Sequence, residues 1–412
     1  MKKRVVITGL GAVSPVGNEI DVLWDNIVGG KAGYGAVTRF DVSTLPSKVA
    51  GEINDFDPGK WIDKKESRRM DRFVQLAIAA AKMAVQDAGL DLEKIDQERA
   101  GVVMGCGIGG VITFEEQKEV LINKGPNRIS PFFITNLISN MAAGYLSITF
   151  GLKGPSLTIV TACASSANAV GEAMRLIQSG ETDLVLSGGT EAPLTELAFA
   201  GFCAIKAMST EKEKYSQACR PFDKRRSGFV MSEGAGILVL ESLEHAQARG
   251  AHIYAELVGY GSSSDAYHIT MPAPGGVGAA SAMRKALADA NLSPQDVSYI
   301  NAHGTGTEAN DALETAAIKL VFGEGAKNIP VSSTKSMTGH LMGAAGAIEA
   351  IICTLAIKRG IIPPTINYEE PDPECDLDYV PNEARKQQVK VALSNNLGFG
   401  GHNATLIIQE FA

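Results

Sequence analysis

One cysteine, Cys163, lies where a buried strand is followed by a helix, in Thr161-Ala-Cys-Ala-Ser-Ser166. The apolar run at residues 157–160 predicts the strand, and the spacing of apolar residues at 166–178 predicts the helix. Free N–H groups and the positive dipole end at a helix N-terminus favour the thiolate, which is the nucleophilic form of cysteine. Cys163 is therefore a candidate nucleophile. The alternative is a small buried hydrophobe, a common role of free cysteine.

Two histidines lie in glycine-bearing loops that follow predicted strands. His303 is in Asn301-Ala-His-Gly-Thr-Gly-Thr307, and His340 ends Lys335-Ser-Met-Thr-Gly-His340. A third loop of this kind, at residues 395–403, carries Phe399 between glycines. Sites of α/β proteins are built on loops at strand ends, so these imidazoles are candidates for catalysis. For each histidine taken alone, a structural role is the alternative.

Strands and helices alternate along the chain, which predicts an α/β fold with a largely buried sheet. Strands are predicted at residues 4–8, 101–104, 158–160, 184–187, 237–241, 253–260, 299–302, 331–333, 391–394 and 405–409. Amphipathic helices are predicted at residues 73–88, 166–178, 278–290, 309–322 and 343–358.

The order of these elements occurs twice. The strand, loop and helix at residues 158–178 are matched by those at residues 331–358, and other segments repeat in the same order. This predicts two duplicated halves, residues 1–250 and 251–412, within one compact unit. Equivalent loops would then meet at one cleft, to which the first half contributes Cys163 and the second half the two histidines.

The composition excludes several classes of protein. The chain has 412 residues and a formal net charge of −8, which argues against non-specific binding to nucleic acid or to anionic membranes. Its six cysteines form no C-x-x-C pair, so we expect reduced thiols in a cytoplasmic protein. The most apolar predicted helix, at residues 342–357, carries Glu349 and is too short to span a bilayer.

The sequence around two other candidate motifs argues against dinucleotide binding and against zinc binding. Gly105-Cys-Gly-Ile-Gly-Gly110 fits the dinucleotide motif G-x-G-x-x-G, but no acidic residue follows at the position that would bind a ribose. Cys163, His303 and His340 lack the local spacing of zinc ligands, so we expect no metal site.

A basic cluster in this acidic chain indicates an acidic partner. If its segment is one helix, five of its residues share one face, which we call the basic face. These residues are Lys64, Lys65, Arg68, Arg69 and Arg72. Lys206, before a predicted cleft loop, is expected to extend the basic face. The alternative is an ordinary solvated helix surface.

Taken together, these motifs resemble those of the β-ketoacyl-acyl-carrier-protein synthases of fatty-acid synthesis, within the thiolase superfamily, over essentially the whole chain. One cysteine with two histidines resembles the elongating enzymes, whereas the initiating relatives carry Cys–His–Asn. Gly107-Ile-Gly109 resembles the type II elongating group. The other matching segments are Val6–Gly11, Thr161–Ala164, Gly188–Glu191, Arg220–Asp223, Glu233–Gly236, Asn301–Thr305, Lys335–His340, Asp376–Pro381 and Gly398–Asn403.

The resemblance implies five stacked layers, α-β-α-β-α, and a homodimer. It also implies an acyltransferase in which Cys163 takes an acyl chain from a carrier thioester. Malonyl-carrier would then lose CO₂, and its carbanion would attack the acyl-Cys163 carbonyl to give a 3-oxoacyl chain two carbons longer. No cofactor of the enzyme's own is implied, because the pantetheine arm arrives on the acyl-carrier protein, the expected partner of the basic face.

The resemblance assigns catalytic roles to five residues. Cys163 would be the covalent nucleophile. His303 and His340 would donate hydrogen bonds to the enolate oxygen, and the N–H groups of Cys163 and Phe399 would form an oxyanion hole. Lys335 would order the histidine region through its charge, and Phe399 would also act as a gate.

Five further residues would bind the substrate. Thr305 and Thr307 resemble the pair that holds the pantetheine arm. Ile108 resembles the gate of the acyl pocket, with Phe202 as its lining. Phe133 is expected to line it as well, in a region that reaches toward the neighbouring subunit.

Three other functions compete with this one. A non-catalytic thiolase-fold subunit would lack the nucleophile, so Cys163 and the two histidines argue against it. A cysteine hydrolase would release free acid rather than condense. A polyketide synthase is the most similar alternative enzyme.

Overall fold

The computed structural model describes residues 2–412. Its strands are β1 (Val5–Val13), β2 (Gly35–Ala36), β3 (Val49–Gly51), β4 (Ala100–Gly105), β5 (Ser156–Ile159), β6 (Leu184–Glu191), β7 (Met231–Ser232), β8 (Gly234–Ser242), β9 (Ala255–Ser264), β10 (Tyr299–Asn301), β11 (Val331–Ser332), β12 (Ile361–Ile362), β13 (Arg385–Lys386), β14 (Val391–Gly398) and β15 (His402–Gln409). Its α-helices are α1 (Ile20–Val28), α2 (Lys64–Ser67), α3 (Arg72–Asp87), α4 (Val111–Lys124), α5 (Phe133–Leu137), α6 (Met141–Phe150), α7 (Ser165–Gln178), α8 (Glu196–Ala204), α9 (Leu243–Ala248), α10 (Val277–Ala290), α11 (Glu308–Phe322), α12 (Lys335–Thr338) and α13 (Ala345–Arg359).

Ten strands form a hydrogen-bonded sheet in the order β11-β10-β14-β15-β9-β1-β8-β6-β4-β5. Its two five-strand parts have the same pattern. In the first part β4 is parallel to β5 and β6, and β8 is antiparallel to β6 and β1. In the second part β10 is parallel to β11 and β14, and β15 is antiparallel to β14 and β9. The parts join through a short antiparallel contact of β1 with β9.

Helices cover both faces of each five-strand part. Two of them, α7 and α13, pack against each other between the two parts. On the outer faces, α3 packs on β1, β8 and β6, whereas α10 packs on β9 and β15 with α11 beside it. The predicted five-layered α-β-α-β-α fold with two duplicated halves is confirmed. The boundary at residues 250 and 251 stays a prediction.

The central helix α13 shows why the sequence folds this way. Its residues 345–357 are all buried, and a helix that is apolar around its whole circumference belongs in a core. Gly360 ends it in the left-handed conformation, with φ 62°. Within residues 2–412, no helix is long and apolar enough to cross a membrane.

The predicted strands and helices are found with shifts of a few residues at their ends, but two details differ. The strand predicted at residues 391–394 continues as β14 to Gly398, so part of the predicted loop pairs with β15. The segment of the basic face is two helices instead of one, since α2 ends at Ser67 and α3 begins at Arg72. Arg72 turns inward, and its Nε donates to the buried carboxylate of Glu233 at 2.7 Å. Arg72 therefore does not belong to an exposed basic surface.

Candidate active site

Cys163 lies in a tight turn between β5 and α7. Residues 162–164 form one turn of 3₁₀ helix, and α7 begins at Ser165. The Ser165 hydroxyl accepts the N–H of Thr161 at 2.9 Å and donates to the Ala162 carbonyl at 2.6 Å, which closes the turn. Ala162 has φ 50°, in the left-handed region that costs energy for a residue with a Cβ. Neighbouring packing therefore holds Cys163 on a strained turn.

The turn between β14 and β15 packs directly on the Cys163 turn. A Cβ added to Gly398 would lie 2.5 Å from the Thr161 carbonyl oxygen, so only glycine fits there. This contact brings the Phe399 backbone beside the sulfur of Cys163. The N–H groups of Phe399 and of Cys163 both lower the pKa of the thiol, as hydrogen-bond donors to a thiolate do. The same two donors are suited to a carbonyl oxygen held on Cys163.

Burial has the larger effect on the thiol. It raises the pKa of Cys163 to about 12, although the charge of Lys335 and the two N–H groups act in the opposite direction. The N–H groups at the start of the helix act in the direction that the sequence predicts, because they lower the pKa of the thiol. Desolvation acts in the opposite direction and is the larger effect.

The two histidines come from the other half of the fold and lie side by side. His303 follows β10 and His340 follows α12, and both are buried. Their ring centroids are 5.4 Å apart, with the ring planes at 86°. The N–H groups of His303 and Gly304 each donate to Glu314 at 2.8 Å, and that of His340 donates to the Val230 carbonyl at 2.7 Å. Backbone contacts thus fix the position of both rings.

The protonation of the histidines follows from their surroundings. Burial lowers the pKa of both rings well below the usual value, and the nearby Lys335 ammonium lowers it further, so both are neutral at pH 7. His340 Nδ1 lies 3.3 Å from the N–H of Met342, which makes Nδ1 the acceptor. The proton of His340 is then on Nε2, ready to be donated.

Lys335 is a fully buried cation behind this site. Its ammonium pairs with the carboxylate of Glu349 on α13, which is also buried. Asn396 completes the pair by donating to the other Glu349 oxygen at 2.6 Å. The Lys335 charge acts on Cys163 and both histidines at once, because it lowers the pKa of all three.

A cavity of about 400 Å³ opens onto these groups. Phe202 and Phe399 stack across it at 6.4 Å between centroids, and Phe229 meets the edges of Phe202 and His340. Thr305 is buried, and its hydroxyl lies 3.1 Å from that of the half-buried Thr307. The cavity therefore has an apolar aromatic part and a hydroxyl-lined part.

Most of the residues expected to bind or react line this one cavity. They are Cys163, Phe202, Lys206, His303, Thr305, Thr307, His340 and Phe399. Lys335 lies behind the cavity wall. Ile108 and Phe133 do not line the cavity: Phe133 is half-buried at the start of α5, and Ile108 is held in a separate loop. The backbone N–H groups of Gly107, Ile108 and Gly109 in that loop donate to the carboxylate of Glu191.

The remaining residues of the basic face lie on the surface. Lys64, Lys65 and Arg68 are exposed, and so is Lys206 at the cavity. Arg69 is half-buried, where it pairs with Glu66 at 3.2 Å and lies over the ring of Phe132.

Three residues at the site were missed by the sequence analysis. Glu314, on α11, holds the His303 backbone, Met342 fixes the tautomer of His340, and Phe229 packs on its ring. An acidic residue on the apolar face of a predicted helix was a usable signal for Glu314. Among residues 2–412, His, Cys, Asp and Glu side chains form no cluster of three or more that could hold a metal ion.

Comparisons with known proteins place this site in a family. Residues 2–246 match the sequence model of the beta-ketoacyl synthase N-terminal domain, and residues 254–369 match that of its C-terminal domain. The chain is 55% identical over 409 residues to 3-oxoacyl-[acyl-carrier-protein] synthase 2 of Staphylococcus aureus strain COL, covering 99% of each chain. It is 52% identical over 410 residues to the protein of that name in Synechocystis, covering 100% of this chain and 99% of the relative.

A solved structure agrees over the full length. It is described as a type II PKS acyl-carrier protein in complex with its ketosynthase bound to the hexaketide. The superposition has a TM-score of 0.93 at 39% identity and covers 100% of both chains. Because the two domain matches span most of the sequence and the relatives match it end to end, this chain belongs to the beta-ketoacyl synthase family.

Proposed function

We propose that this protein is a 3-oxoacyl-acyl-carrier-protein synthase of the elongating type, which lengthens fatty acyl chains by decarboxylative condensation. The observation that carries the proposal is the meeting of Cys163, His303 and His340 in one cavity. A nucleophile with two neutral hydrogen-bond donors supplies the groups that acyl transfer and enolate stabilisation need.

The first step is acyl transfer to Cys163. Its sulfur attacks the carrier thioester, the bond from acyl carbon to carrier sulfur breaks, and the pantetheine thiol leaves with the proton that Cys163 gives up. The charge of Lys335 and the N–H groups of Phe399 and Cys163 lower the pKa of the thiol and so favour loss of this proton. The N–H groups of Cys163 and Phe399 would stabilise the oxyanion that forms.

The second step is loss of CO₂ from malonyl-carrier. The bond to the carboxyl carbon breaks, and its electrons pass into an enolate whose oxygen accepts hydrogen bonds from His303 and His340. No strong base is needed, because decarboxylation itself creates the nucleophilic carbon. Low histidine pKa values keep both rings neutral, and a donating Nε2–H of His340 suits this role.

The third step joins the two chains. The enolate carbon attacks the acyl-Cys163 carbonyl, the bond to sulfur breaks, and one proton restores the thiol. A high thiol pKa favours this reprotonation. The products are 3-oxoacyl-carrier and CO₂. The CO₂ comes from the malonyl carboxylate, the acyl group passes from Cys163 to the enolate carbon, and the proton restores the Cys163 thiol.

Different residues of the site would bind different parts of the substrate. Thr305 and Thr307 would hydrogen-bond the pantetheine arm, which the carrier brings, so that no resident cofactor is required. Phe399 would gate the cavity against Phe202, with which it stacks. Ile108 would limit the acyl pocket, and Phe133 would complete that of a second subunit in a homodimer.

The partner we propose is an acyl-carrier protein. The exposed amines and guanidinium groups of Lys64, Lys65 and Arg68, with Arg69 beside them, would attract an acidic carrier surface. Lys206 lies at the cavity, where the arm would enter. We also propose the two halves 1–250 and 251–412, and a cytoplasmic location.

The test supplies the protein with acyl-carrier and malonyl-carrier and analyses the products. Condensation gives 3-oxoacyl-carrier and CO₂ in equal amounts. Free fatty acid without CO₂ would make the protein a hydrolase, and no product would make it a non-catalytic subunit. Repeated extension of one chain without reduction would support a polyketide synthase instead.

A further inference from the structure

Glu191 is a buried carboxylate that the proposed reaction does not use. It is the last residue of β6 and has no exposed surface. Its hydrogen bonds reach two separate turns. Those turns are the loop after β4, which carries Ile108, and the turn that follows His340.

Four backbone N–H groups converge on this carboxylate. Gly107 donates to Oε2 at 2.7 Å, and Ile108 and Gly109 donate to Oε1 at 3.1 and 3.2 Å. Gly343, from the other half of the fold, donates to Oε2 at 3.1 Å. The thiol of Cys106 lies 3.5 Å from Oε1. Glu191 thus joins one loop of each half.

The packing around the carboxylate leaves no room for side chains. A Cβ added to Gly107 would lie 2.8 Å from Oε2 of Glu191. A Cβ added to Gly343 would lie 2.6 Å from Oε2 and 2.5 Å from the Gly107 nitrogen. The two turns therefore touch each other as well as the carboxylate, and displacement of one disturbs the other.

Both turns bear on the proposed reaction. Ile108 does not line the cavity beside Cys163. In the proposed function Ile108 limits the acyl pocket, so a long acyl chain would extend past it by displacing its loop. That movement breaks hydrogen bonds to Glu191. The turn at Gly343 follows Met342, whose N–H binds Nδ1 of His340 and whose side chain lines the cavity.

We propose that Glu191 is a positioning residue that latches the Ile108 loop to the turn after His340, and so couples entry of a long acyl chain to the placement of the condensation site. This inference rests on the proposed function and extends it to chain-length selection. Short acyl chains, which do not need the loop to move, are not opposed by the latch.

The test replaces Glu191 by Gln, which keeps the shape but offers one acceptor oxygen and places an NH₂ group against N–H donors. The closed loop loses at least one hydrogen bond to a charged acceptor, and one such bond corresponds to a factor of about ten. We expect the ratio of kcat/KM for a long over a short acyl-carrier to rise about tenfold in E191Q. Cys106→Ala, which removes only the side-chain contact, should leave the ratio near that of the parent.

The matched control is Glu241→Gln. Glu241 is equally buried and bonded to Arg249, but it lies at the opposite end of the strands from Cys163. Both Gln variants should unfold at lower temperature, and only E191Q should change the ratio. An unchanged or lowered ratio in E191Q overturns the latch. Failure of the parent to condense would instead reject the proposed function.

A second measurement needs no variant. Hydrogen exchange is followed on the native enzyme with Cys163 unloaded, loaded with a short acyl chain, and loaded with a long one. The latch predicts faster exchange at Gly107–Gly109 and also at Gly343 with the long chain only. Faster exchange at the first loop with none at Gly343 would contradict the coupling.

Discussion

The buried ion pair of Lys335 and Glu349 should affect both the stability and the activity of the protein, and the two effects can be measured separately. Changing Lys335 to Met leaves the Glu349 carboxylate in the core with Asn396 as its remaining hydrogen-bond donor. Removing one partner of a buried ion pair costs about 3–5 kcal/mol, because an uncompensated charge stays behind. Glu349→Gln should be destabilising for the same reason, since it leaves the ammonium unpaired.

The double variant K335M/E349Q removes both charges, and we expect its free energy of unfolding to lie within about 2 kcal/mol of the parent. The double-mutant cycle should therefore give a coupling energy of at least about 4 kcal/mol. Urea unfolding followed by circular dichroism measures all four proteins. As a control, Lys94→Met, in an exposed pair with Asp91, should leave the unfolding midpoint unchanged.

The same set of variants distinguishes an effect on condensation activity from an effect on stability. The double variant should be folded yet slow in condensation, since the site has lost its buried cation. Single variants that cost less than about 1 kcal/mol each, or that add without coupling, would refute the assignment of a desolvated pair. Full condensation activity in the folded double variant would refute a role for the Lys335 charge.

Four further predictions follow from the site. In K335M/E349Q the histidine pKa values should rise, because the Lys335 charge that disfavours imidazolium is gone. NMR of labelled histidines should show that His303 and His340 titrate at higher pH than in the parent, and unshifted titration curves would contradict this. Cys163→Ala should abolish acyl-enzyme and condensation but retain malonyl decarboxylation, assayed as released CO₂, and a variant that still condensed would exclude Cys163 as nucleophile. Reversal of Lys65 and Arg69 to Glu should lower kcat/KM for carrier-bound substrates about tenfold at low salt and leave kcat/KM for small thioesters unchanged. Equal rates of variant and parent with carrier-bound substrates at all ionic strengths would show that the basic face is an ordinary solvated surface. Ile108→Phe should lose long acyl-carriers before short ones, because added volume at the proposed gate obstructs a chain that must pass it and not one that stops before it. An unchanged ratio of kcat/KM would place Ile108 outside the acyl path.

The sequence predicted the parts of the fold that depend on local patterning. The strand before Cys163 and helix α7 after it were found within two residues, because β-branched residues and helical spacing agree there. The repeat of elements predicted that loops of the two halves meet, and the cavity contains residues from both.

Features set by distant contacts were not predictable in the same way. The prediction that Arg72 belongs to the basic face was wrong, because its guanidinium binds the buried carboxylate of Glu233, far along the chain. The raised pKa of Cys163 was not predictable, because the burial that raises it comes from neighbouring elements that only the fold brings there. Glu191 was visible as part of a motif, but its partners Ile108 and Gly343 are brought to it only by the fold.

In the proposed reaction Cys163 carries the acyl chain that is then extended. The most direct measurement loads the enzyme with an isotope-labelled acyl-carrier, removes free substrate, and adds malonyl-carrier with mass spectrometry of enzyme and products. We expect a labelled adduct on the peptide containing Cys163 that disappears as labelled 3-oxoacyl-carrier and an equal amount of CO₂ form. A labelled adduct on another residue, or a Cys163 adduct released only as free acid, would contradict it.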